Sequence, residues 1–405
     1  MRNLRFAVLG AALPVVFATA PAVAQDVAVK PLIDARLRYE HVEQEALPDQ
    51  DSDALTARVR AGIQVSAGSW SALAEAQGTL PIIGHYYDGL HGAAMRPLIA
   101  DPGNVALYRA QLQYKTDGLT LTAGRQRISL DDDRFVDAAL FRQNAQTYDA
   151  VRGEWALGKL KADLTYAWSV RTIWGMDGTG ARQQAISGDN IFAQLGYATP
   201  LGTLTGYAIV ADQDELAVQA FRLSSQTYGV RFVGSHAIGK AKFNYHLSYA
   251  RQSDYHRNPN DYSAHFYLLD TSLELSGFKL GAGYEVMAAD DGRALTSFQF
   301  PVGSGFRYRG WAGKFVPNPP DGVRDLYGSL GWGKAKLGPF QNFALTGTLH
   351  RFESDRLVRH YGNELDLLAS GKLGKYTLSA RYAGYDADRF ATDTRKFWLQ
   401  LDWAF

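Results

Sequence analysis

The chain has 405 residues, with 42 basic and 41 acidic side chains, and its formal net charge of +1 gives no overall field that favours nucleic acid. Cysteine is absent, which excludes a small scaffold held together by disulfides. The 22 Tyr, 20 Phe, 8 Trp and 40 Gly are typical of a membrane-spanning β-barrel. A soluble β-sandwich or solenoid is the competing class.

Residues 1–24 are predicted to be a secretory signal peptide. Arg2 and Arg5 form a charged start, an apolar segment follows over residues 6–16, and Ala22-Val23-Ala24 fits a small-x-small cleavage site. The apolar segment is too short to span a membrane, which disfavours the alternative of an N-terminal anchor helix. Residues 25–405 are predicted to form one domain, since they contain no linker, repeat or low-complexity tract.

Segments of alternating apolar and polar residues run along the rest of the chain. From Leu55 to Val65, the odd-numbered residues are apolar, whereas Thr56, Arg58 and Arg60 share the other face. A sandwich strand alternates as well, but here Tyr and Trp gather near segment ends, as in the aromatic girdles of a membrane barrel. Alternation predicts further strands at residues 33–39, 108–115, 160–171, 243–249, 278–286, 376–382 and 397–405.

Connections of two lengths separate the predicted strands. Eight short ones carry the Gly, Asp or Ser of tight hairpins, at Gly68, Asp117, Gly158, Gly202, Gly239, Ser276, Gly338 and Gly374. Nine long ones lie between them, at residues 48–53, 81–104, 131–144, 175–189, 212–224, 253–262, 288–322, 354–360 and 387–393. Short turns at one rim and long loops at the other predict an all-β, transmembrane, antiparallel up-and-down β-barrel of about 18 strands in the bacterial outer membrane. A barrel of about 16 strands is the alternative, because residues 194–210 and 327–350 alternate less regularly.

The last residue, Phe405, ends an alternating aromatic segment. This pattern predicts a signal for the outer-membrane assembly machinery, and a chance terminal Phe is the alternative.

A barrel of about 16–18 strands leaves an aqueous channel, so the polar strand faces are predicted to line a lumen. Arginine dominates lysine on these faces, and its fork matches a carboxylate in two-point geometry. Mixed charges also stabilise a barrel wall, so the charges alone leave anion preference open. The predicted inward cations are Arg36, Arg38, Arg58, Arg60, Arg109, Arg152, Arg171, Arg231 and Arg381, and the predicted inward acids include Asp163, Glu285, Glu364 and Asp366.

Two other kinds of site are weighed and disfavoured. Asp131, Asp132 and Asp133 offer oxygen ligands for Ca²⁺ but lack the spacing of a calcium loop. An acidic loop that is solvated, or paired with Arg127, Arg134 and Arg142, is favoured, and no metal or cofactor is predicted. His246 and Ser248 share one strand face, but residues two apart on a strand lie about 6–7 Å from each other, too far for a direct catalytic hydrogen bond. We therefore do not expect an enzyme.

The hairpin over residues 122–152 resembles the signature of the alginate-export family of outer-membrane porins. The resemblance rests on Gly124-Arg125-Gln126, residues 131–135, Arg142-Gln143-Asn144 and residues 147–151, with Phe141 where members often carry Trp. It implies an eighteen-stranded barrel that passes the polyuronate alginate through an Arg-rich, anion-selective constriction. It also implies that the charged pathway includes Arg125, Arg127, Arg134, Arg142 and Arg152, oriented by Asp131, Asp132, Asp133 and Asp149.

The alternation of Leu119, Leu121 and Ala123 places Arg125 and Arg127 outward, so their role in the pathway requires a β-bulge. Together with Arg58, Arg60 and Arg109, the residues implied by the resemblance form the predicted substrate pathway.

The predicted function is passive passage of an anionic polysaccharide or oligosaccharide. A general or substrate-specific uptake porin for small anionic solutes is the first alternative, and a non-conducting barrel is the second. The expected partners are the anionic sugar, outer-membrane lipid, the assembly machinery and periplasmic export components, with no nucleic acid. The sequence leaves open whether the loop at residues 288–322 folds into the barrel.

Overall fold

The computed structural model describes residues 27–303 and 305–404, which form one closed sheet of 18 antiparallel strands. The predicted signal peptide and Phe405 lie outside these residues. The strands are β1 (Val27–Gln44), β2 (Asp51–Ala67), β3 (Trp70–His85), β4 (Asn104–Thr116), β5 (Leu119–Gln126), β6 (Thr147–Leu157), β7 (Leu160–Arg171), β8 (Ala185–Thr199) and β9 (Gly202–Ala211). They continue with β10 (Ser225–Ile238), β11 (Ala241–Asp254), β12 (Ser263–Leu275), β13 (Phe278–Met287), β14 (Val323–Leu337), β15 (Phe340–Glu353), β16 (His360–Leu373), β17 (Tyr376–Ala387) and β18 (Thr394–Ala404).

The sheet closes because β1 pairs with both β2 and β18, from Asp34 opposite Ala404 to Gln44 opposite Thr394. Every other strand pairs with its neighbours in the chain, which is the up-and-down topology predicted from the turns. The eighteen-strand prediction is confirmed, and the sixteen-strand alternative is wrong, since residues 185–211 and 323–353 each supply two strands. A short 3-10 turn spans Gln219–Phe221. No helix in the described part of the chain is long and apolar enough to cross a membrane.

All eight short connections are two-residue turns at one rim, and the long loops lie at the other. Gly68 and Gly118 have φ of 55° and 78°, a left-handed conformation that glycine adopts without steric cost. The loops at residues 212–224 and 288–322 have the predicted bounds.

Alternation assigns most side chains to the correct face of the sheet, but at two bulges the assigned face is wrong. Between β3 and β4 the register shifts after Glu75, and Tyr108, which alternation assigns to the outward face, is buried inside. Between β7 and β8 the register shifts at Trp168, so that Val170 is buried inside. Arg171, predicted to face the lumen, instead pairs with Asp149 on the outward face. An extra residue in one strand moves every later side chain to the opposite face.

The buried core lies inside the barrel, toward the rim that carries the long loops. Among the loops that fold inward are two that we call the signature loop (residues 127–146) and the long loop (residues 288–322). Phe298, Val302 and Phe315 of the long loop pack with Ile128 and Val136 of the signature loop and with inward side chains of the wall. The question left open by the sequence is thus answered: the long loop occupies the barrel interior.

Candidate functional site

The signature loop and the long loop contact each other inside the barrel. Val136 and Val302 form a parallel bridge, and the Asp137 amide donates to the Val302 carbonyl at 3.0 Å. The Phe141 and Phe306 rings stack with centroids 3.2 Å apart and planes 7° apart. Both rings contact Trp398 of β18 edge to face. The two loops therefore form one layer that narrows the barrel.

Glu285 of β13 joins the two loops electrostatically. Its carboxylate pairs with Arg134 of the signature loop and with Arg309 of the long loop, the latter at 2.6 Å. Burial alone would lower the pKa of Arg134, but Glu285 and Asp132 outweigh it and raise that pKa. Burial would raise the pKa of Asp132, yet Arg134 holds it below its usual value. Arg134 and Asp132 are consequently charged at neutral pH, because each buried charge has an opposite partner.

The long loop is also attached to the wall through its backbone. The amides of Trp311 and Ala312 donate to the Asp366 and Glu364 carboxylates of β16 at 3.1 and 2.7 Å. Gly310, with φ of 77°, allows this approach, because a Cβ there would collide with the Glu364 carboxylate. Two acids predicted to face the lumen thus bind the loop.

The signature residues Gln143 and Asn144 attach the signature loop to β2 and to the loop between β3 and β4 (residues 86–103). The Gln143 amide donates to Asp101 at 2.7 Å, and its side chain donates to the Thr56 hydroxyl at 2.8 Å. The Asn144 side chain donates to the Pro102 carbonyl at 2.9 Å. Both residues belong to the sequence motif, which gave no indication of their role. The structure shows that both are buried anchors.

Arginines of β1 and β2 line the wall beside these anchors. Arg58 pairs with Asp34 at 2.6 Å, and Arg60 donates to Gln77 at 2.7 Å while its guanidinium lies 3.9 Å from the Tyr108 ring centroid. These two side chains are only 4% exposed. The predicted pathway residues Arg58 and Arg60 therefore lie inside the barrel but are covered by their neighbours.

Arg36 and Arg381 are the more accessible cations of this wall. Arg36 pairs with Asp402 at 2.7 Å and donates to the Leu140 and Phe141 carbonyls of the signature loop. The Arg381 guanidinium lies 5.3–5.8 Å from the ring centroids of Phe141, Phe306 and Trp311. Among the described residues, no carboxylate lies within ion-pair distance of Arg381. Its charge is thus available at the layer formed by the two loops.

Arg142, from the predicted pathway, lies beside this group. Its guanidinium is 5.7 Å from the Phe141 ring centroid, and it forms no ion pair within the described residues.

Below the loops, three further wall arginines pair with acids. Arg109 pairs with Glu75 at 2.6 Å, Arg152 with Asp163, and Arg231 with Asp131. A hollow of about 550 Å³ opens at this level, lined by Lys115, Thr120, Glu154, Asp163, Gln194 and Arg231 among others. Its volume lies within the range of about 300–1,000 Å³ typical of small-molecule sites. The barrel is therefore wide below the loops and narrow between them.

The acidic loop is neutralised by arginines from three places. Asp131 pairs with Arg231, Asp132 with Arg134 at 3.2 Å, and Asp133 with Arg307 of the long loop at 2.7 Å. Of the predicted partners only Arg134 is used, and Arg127 and Arg142 are not. Since each carboxylate has its own cation, the three aspartates do not converge on one point as calcium ligands would.

Three predicted pathway residues lie away from the lumen. Arg125 and Asp149 form a bidentate pair at 2.7 and 3.0 Å on the outward face of the wall. The register between β5 and its neighbours is continuous, so the bulge that would turn Arg125 inward is absent from these strands. Arg127 is exposed and forms no ion pair within the described residues.

His246 and Ser248 of β11 do not bond to each other. Ser248 lies 3.3 Å from the Tyr207 hydroxyl, and His246 lies 3.9 Å from Asp132.

Sequence reasoning missed the contribution of the long loop. A signal was present in Phe306-Arg307-Tyr308-Arg309-Gly310-Trp311, where aromatic and arginine residues alternate inside a connection. This pattern is unusual for a solvated loop, because it supplies both apolar surface and buried charge partners.

Comparison with known proteins agrees with this architecture. The family model described as alginate export matches residues 32–284, more than half of the chain. The solved structure of OccAB4 from Acinetobacter baumannii superposes with a TM-score of 0.69 at 14% identity, covering 94% of this chain and 99% of that one. The solved structure of OccK8 (OprE) from Pseudomonas aeruginosa superposes with a TM-score of 0.70 at 12% identity, covering 93% of this chain and 98% of that one.

A third solved structure is OpdK from Pseudomonas aeruginosa with vanillate. It gives a TM-score of 0.67 at 12% identity and covers 93% of this chain and 98% of that one. No curated protein sequence matches the chain. At these identities the solved structures establish the fold alone, whereas the family match covers the signature hairpin and most of the strands. The chain belongs to the alginate-export family and is a channel-type β-barrel of the bacterial outer membrane.

Proposed function

We propose that the barrel is a passive channel for small carboxylated sugars, of the size of an oligouronate, that pass through the layer formed by the signature loop and the long loop. The observation that carries this proposal is Arg381, a cation at the narrow level that has no carboxylate partner among the described residues. A guanidinium fork binds a carboxylate in two-point geometry, and the rings of Phe306 and Trp311 offer apolar surface to the rest of the solute.

The two loops favour a small solute over a long polymer. They bond to each other, to Glu285 and to the β16 wall, so a wide bore would require these contacts to break together. The solved structure of OpdK with vanillate, itself a carboxylate, supports a small anionic solute for a barrel of this shape. Because the channel is passive, the concentration gradient sets the direction of transport.

Export of a polyuronate chain is the second candidate. The match to the alginate-export family favours it. It requires the long loop to leave the lumen during transport.

The first experiment is single-channel recording of the refolded chain, without the predicted signal peptide, in a planar bilayer under a salt gradient. We expect an anion-leaning reversal potential and block by short oligouronates but not by neutral sugars. Block that appears only with long polyuronate would favour the export candidate. A pore indifferent to uronates would refute both candidates.

Two variants test the role of Arg381. Arg381→Gln should weaken oligouronate block by about tenfold or more, because a hydrogen bond to a charged group contributes about 1.5–3 kcal/mol. Arg109→Gln is the matched control, since it also removes one inward charge but from a residue already paired with Glu75. Block by oligouronate should stay within about twofold of wild type in this control. Equal losses in both variants would mean that net lumen charge, and not Arg381, binds the solute.

A further inference from the structure

Two arginines of the signature hairpin take no part in the lumen. Arg125 and Arg127 share the outward side of the barrel with Arg171, since Gln126 and Ile128 on either side of Arg127 are buried inside. We call these three residues the outer arginine cluster. Arg125 is the penultimate residue of β5, and Arg171 is the last residue of β7. Both strands end there at the rim with the long loops, which is the external rim of an outer-membrane barrel.

The faces of the neighbouring residues place the cluster on the outside. Leu121 is 42% exposed on the same face as Arg125, whereas Thr122 and Gln126 are buried inside. In β7, the bulge at Trp168 brings Arg171 to the outward face, where it lies 3.5 Å from Asp149. The cluster therefore faces the exterior of the barrel and not the lumen.

The cluster lies at the level of a membrane–water interface. The exposed rings of Tyr166 and Trp168 are on the same wall, five and three residues before Arg171 along β7. Aromatic residues in such positions form the girdle at the headgroup level. The lipid headgroups of the outer leaflet are accordingly within reach of these guanidinium groups.

The local charges leave a surplus of cations. Asp149 is shared by Arg125 and Arg171, and Asp189 accepts a hydrogen bond from the Tyr166 hydroxyl at 2.6 Å. Arg127 adds a third, exposed guanidinium without an ion pair among the described residues. Three guanidinium groups thus face two carboxylates, and arginine binds phosphate oxygens in two-point geometry.

We propose that the outer arginine cluster binds the phosphate groups of a phosphorylated glycolipid in the outer leaflet. Arg127 and the exposed part of Arg171 contact the phosphate, and Asp149 holds Arg125 and Arg171 in place. The site is separate from the transport pathway, so it accounts for the two signature arginines that the lumen does not use.

The test is a titration of the folded barrel in detergent micelles with a diphosphorylated glucosamine-disaccharide lipid, read by native mass spectrometry. We expect Arg127→Gln to weaken binding by about tenfold, and Arg127→Gln with Arg171→Gln to weaken it further. Arg127 has no ion-pair partner to lose in the described part of the chain, so the single variant tests binding without disturbing the wall. Arg351→Gln is the control, since Arg351 is also exposed on the outward face but pairs with Glu353 at 2.9 Å.

Three outcomes of the lipid titration, and a fourth from competition with inorganic phosphate, would overturn the proposal. One is unchanged lipid affinity in Arg127→Gln, and another is an equal loss in Arg351→Gln. The third is equal binding of the same lipid after removal of its phosphates. Inorganic phosphate at a matched concentration should not compete, and full competition by it would mean that the cluster binds free anions and not a membrane lipid.

Discussion

At the scale of single residues, the long loop brings a titratable cation into the barrel. Lys314 lies near Lys396 of β18, with Glu364 and Asp393 as the neighbouring acids. Burial, and to a smaller extent Lys396, lower the pKa of Lys314 to about 8, against the effect of both acids. This ammonium is therefore charged below about pH 8 and neutral above it.

We expect the anion preference of the channel to decrease as pH rises through about 8, because Lys314 loses its charge there. The reversal potential under a salt gradient, recorded between about pH 7 and pH 9, measures this change. Lys314→Gln should begin with a smaller anion preference and show little change over the same interval. A pH-dependent decrease that persists in Lys314→Gln would assign the titration to another group.

Rising pH should lower the anion preference but raise the free energy of unfolding. The pKa of Lys314 is lower in the folded chain than the ordinary lysine value of 10.5. The unfolded chain therefore binds more protons between about pH 8 and 10.5, and unfolding becomes less favourable as pH rises through this window. A loss of anion preference above pH 8 then reflects a change of charge and not unfolding.

At the scale of elements, two glycines of the long loop allow a controlled test of its position. Gly310 and Gly313 have φ of 77° and 72°, so alanine is strained to a similar extent at either position. A Cβ on Gly310 would collide with the Glu364 carboxylate, whereas a Cβ on Gly313 would meet no atom closer than 4.0 Å.

We expect Gly310→Ala to displace the loop from β16 and to raise single-channel conductance, because the bonds from Trp311 and Ala312 to the wall would be lost. Gly313→Ala should keep the wild-type conductance at a similar backbone cost of about 1 kcal/mol. The two conductances, recorded at the same salt, make the comparison. Similar conductance in the two variants would show that the contact with Glu364 does not set the width.

The elements also show how much of the fold the sequence could predict. Strand alternation and turn glycines are local signals, so every short turn was predicted, and most strand faces followed. The faces of Tyr108 and Arg171 were wrong because an extra residue at a bulge has no local signature. The inward fold of the long loop depends on Glu285 and Glu364, which lie on other strands, and contacts so distant in sequence could not be predicted from alternation.

At the scale of the whole molecule, the family match includes only part of the chain that forms the narrow layer of the two loops. The match ends at residue 284, before the long loop and before Arg381. The signature hairpin therefore predicted the barrel and one of the two loops, but not the second loop or Arg381. The resemblance assigned Arg125 and Asp149 to the charged pathway, whereas the structure pairs them with each other on the outward face.

Because the net charge of the chain is only +1, any anion preference must come from where the charges lie. Screening distinguishes the two locations available, since the Debye length falls from about 10 Å at 0.1 M salt to about 3 Å at 1 M. Charges in the wide hollow are surrounded by electrolyte, whereas the Arg381 guanidinium is flanked by three rings at the narrow level.

We accordingly expect the anion preference of the wild-type channel to persist, though reduced, at about 1 M salt, because charges shielded from electrolyte are screened less. Arg381→Gln should have a smaller preference than the wild type at about 0.1 M and lose a larger share of it at about 1 M, since more of the remaining charge lies in the wide hollow. Reversal potentials at the two concentrations, with the same ratio of salt across the bilayer, give the comparison. A wild-type preference that disappears at high salt would place the selective charges in the hollow or at the rims, where Arg109, Arg152 and Arg231 with their acids would set it.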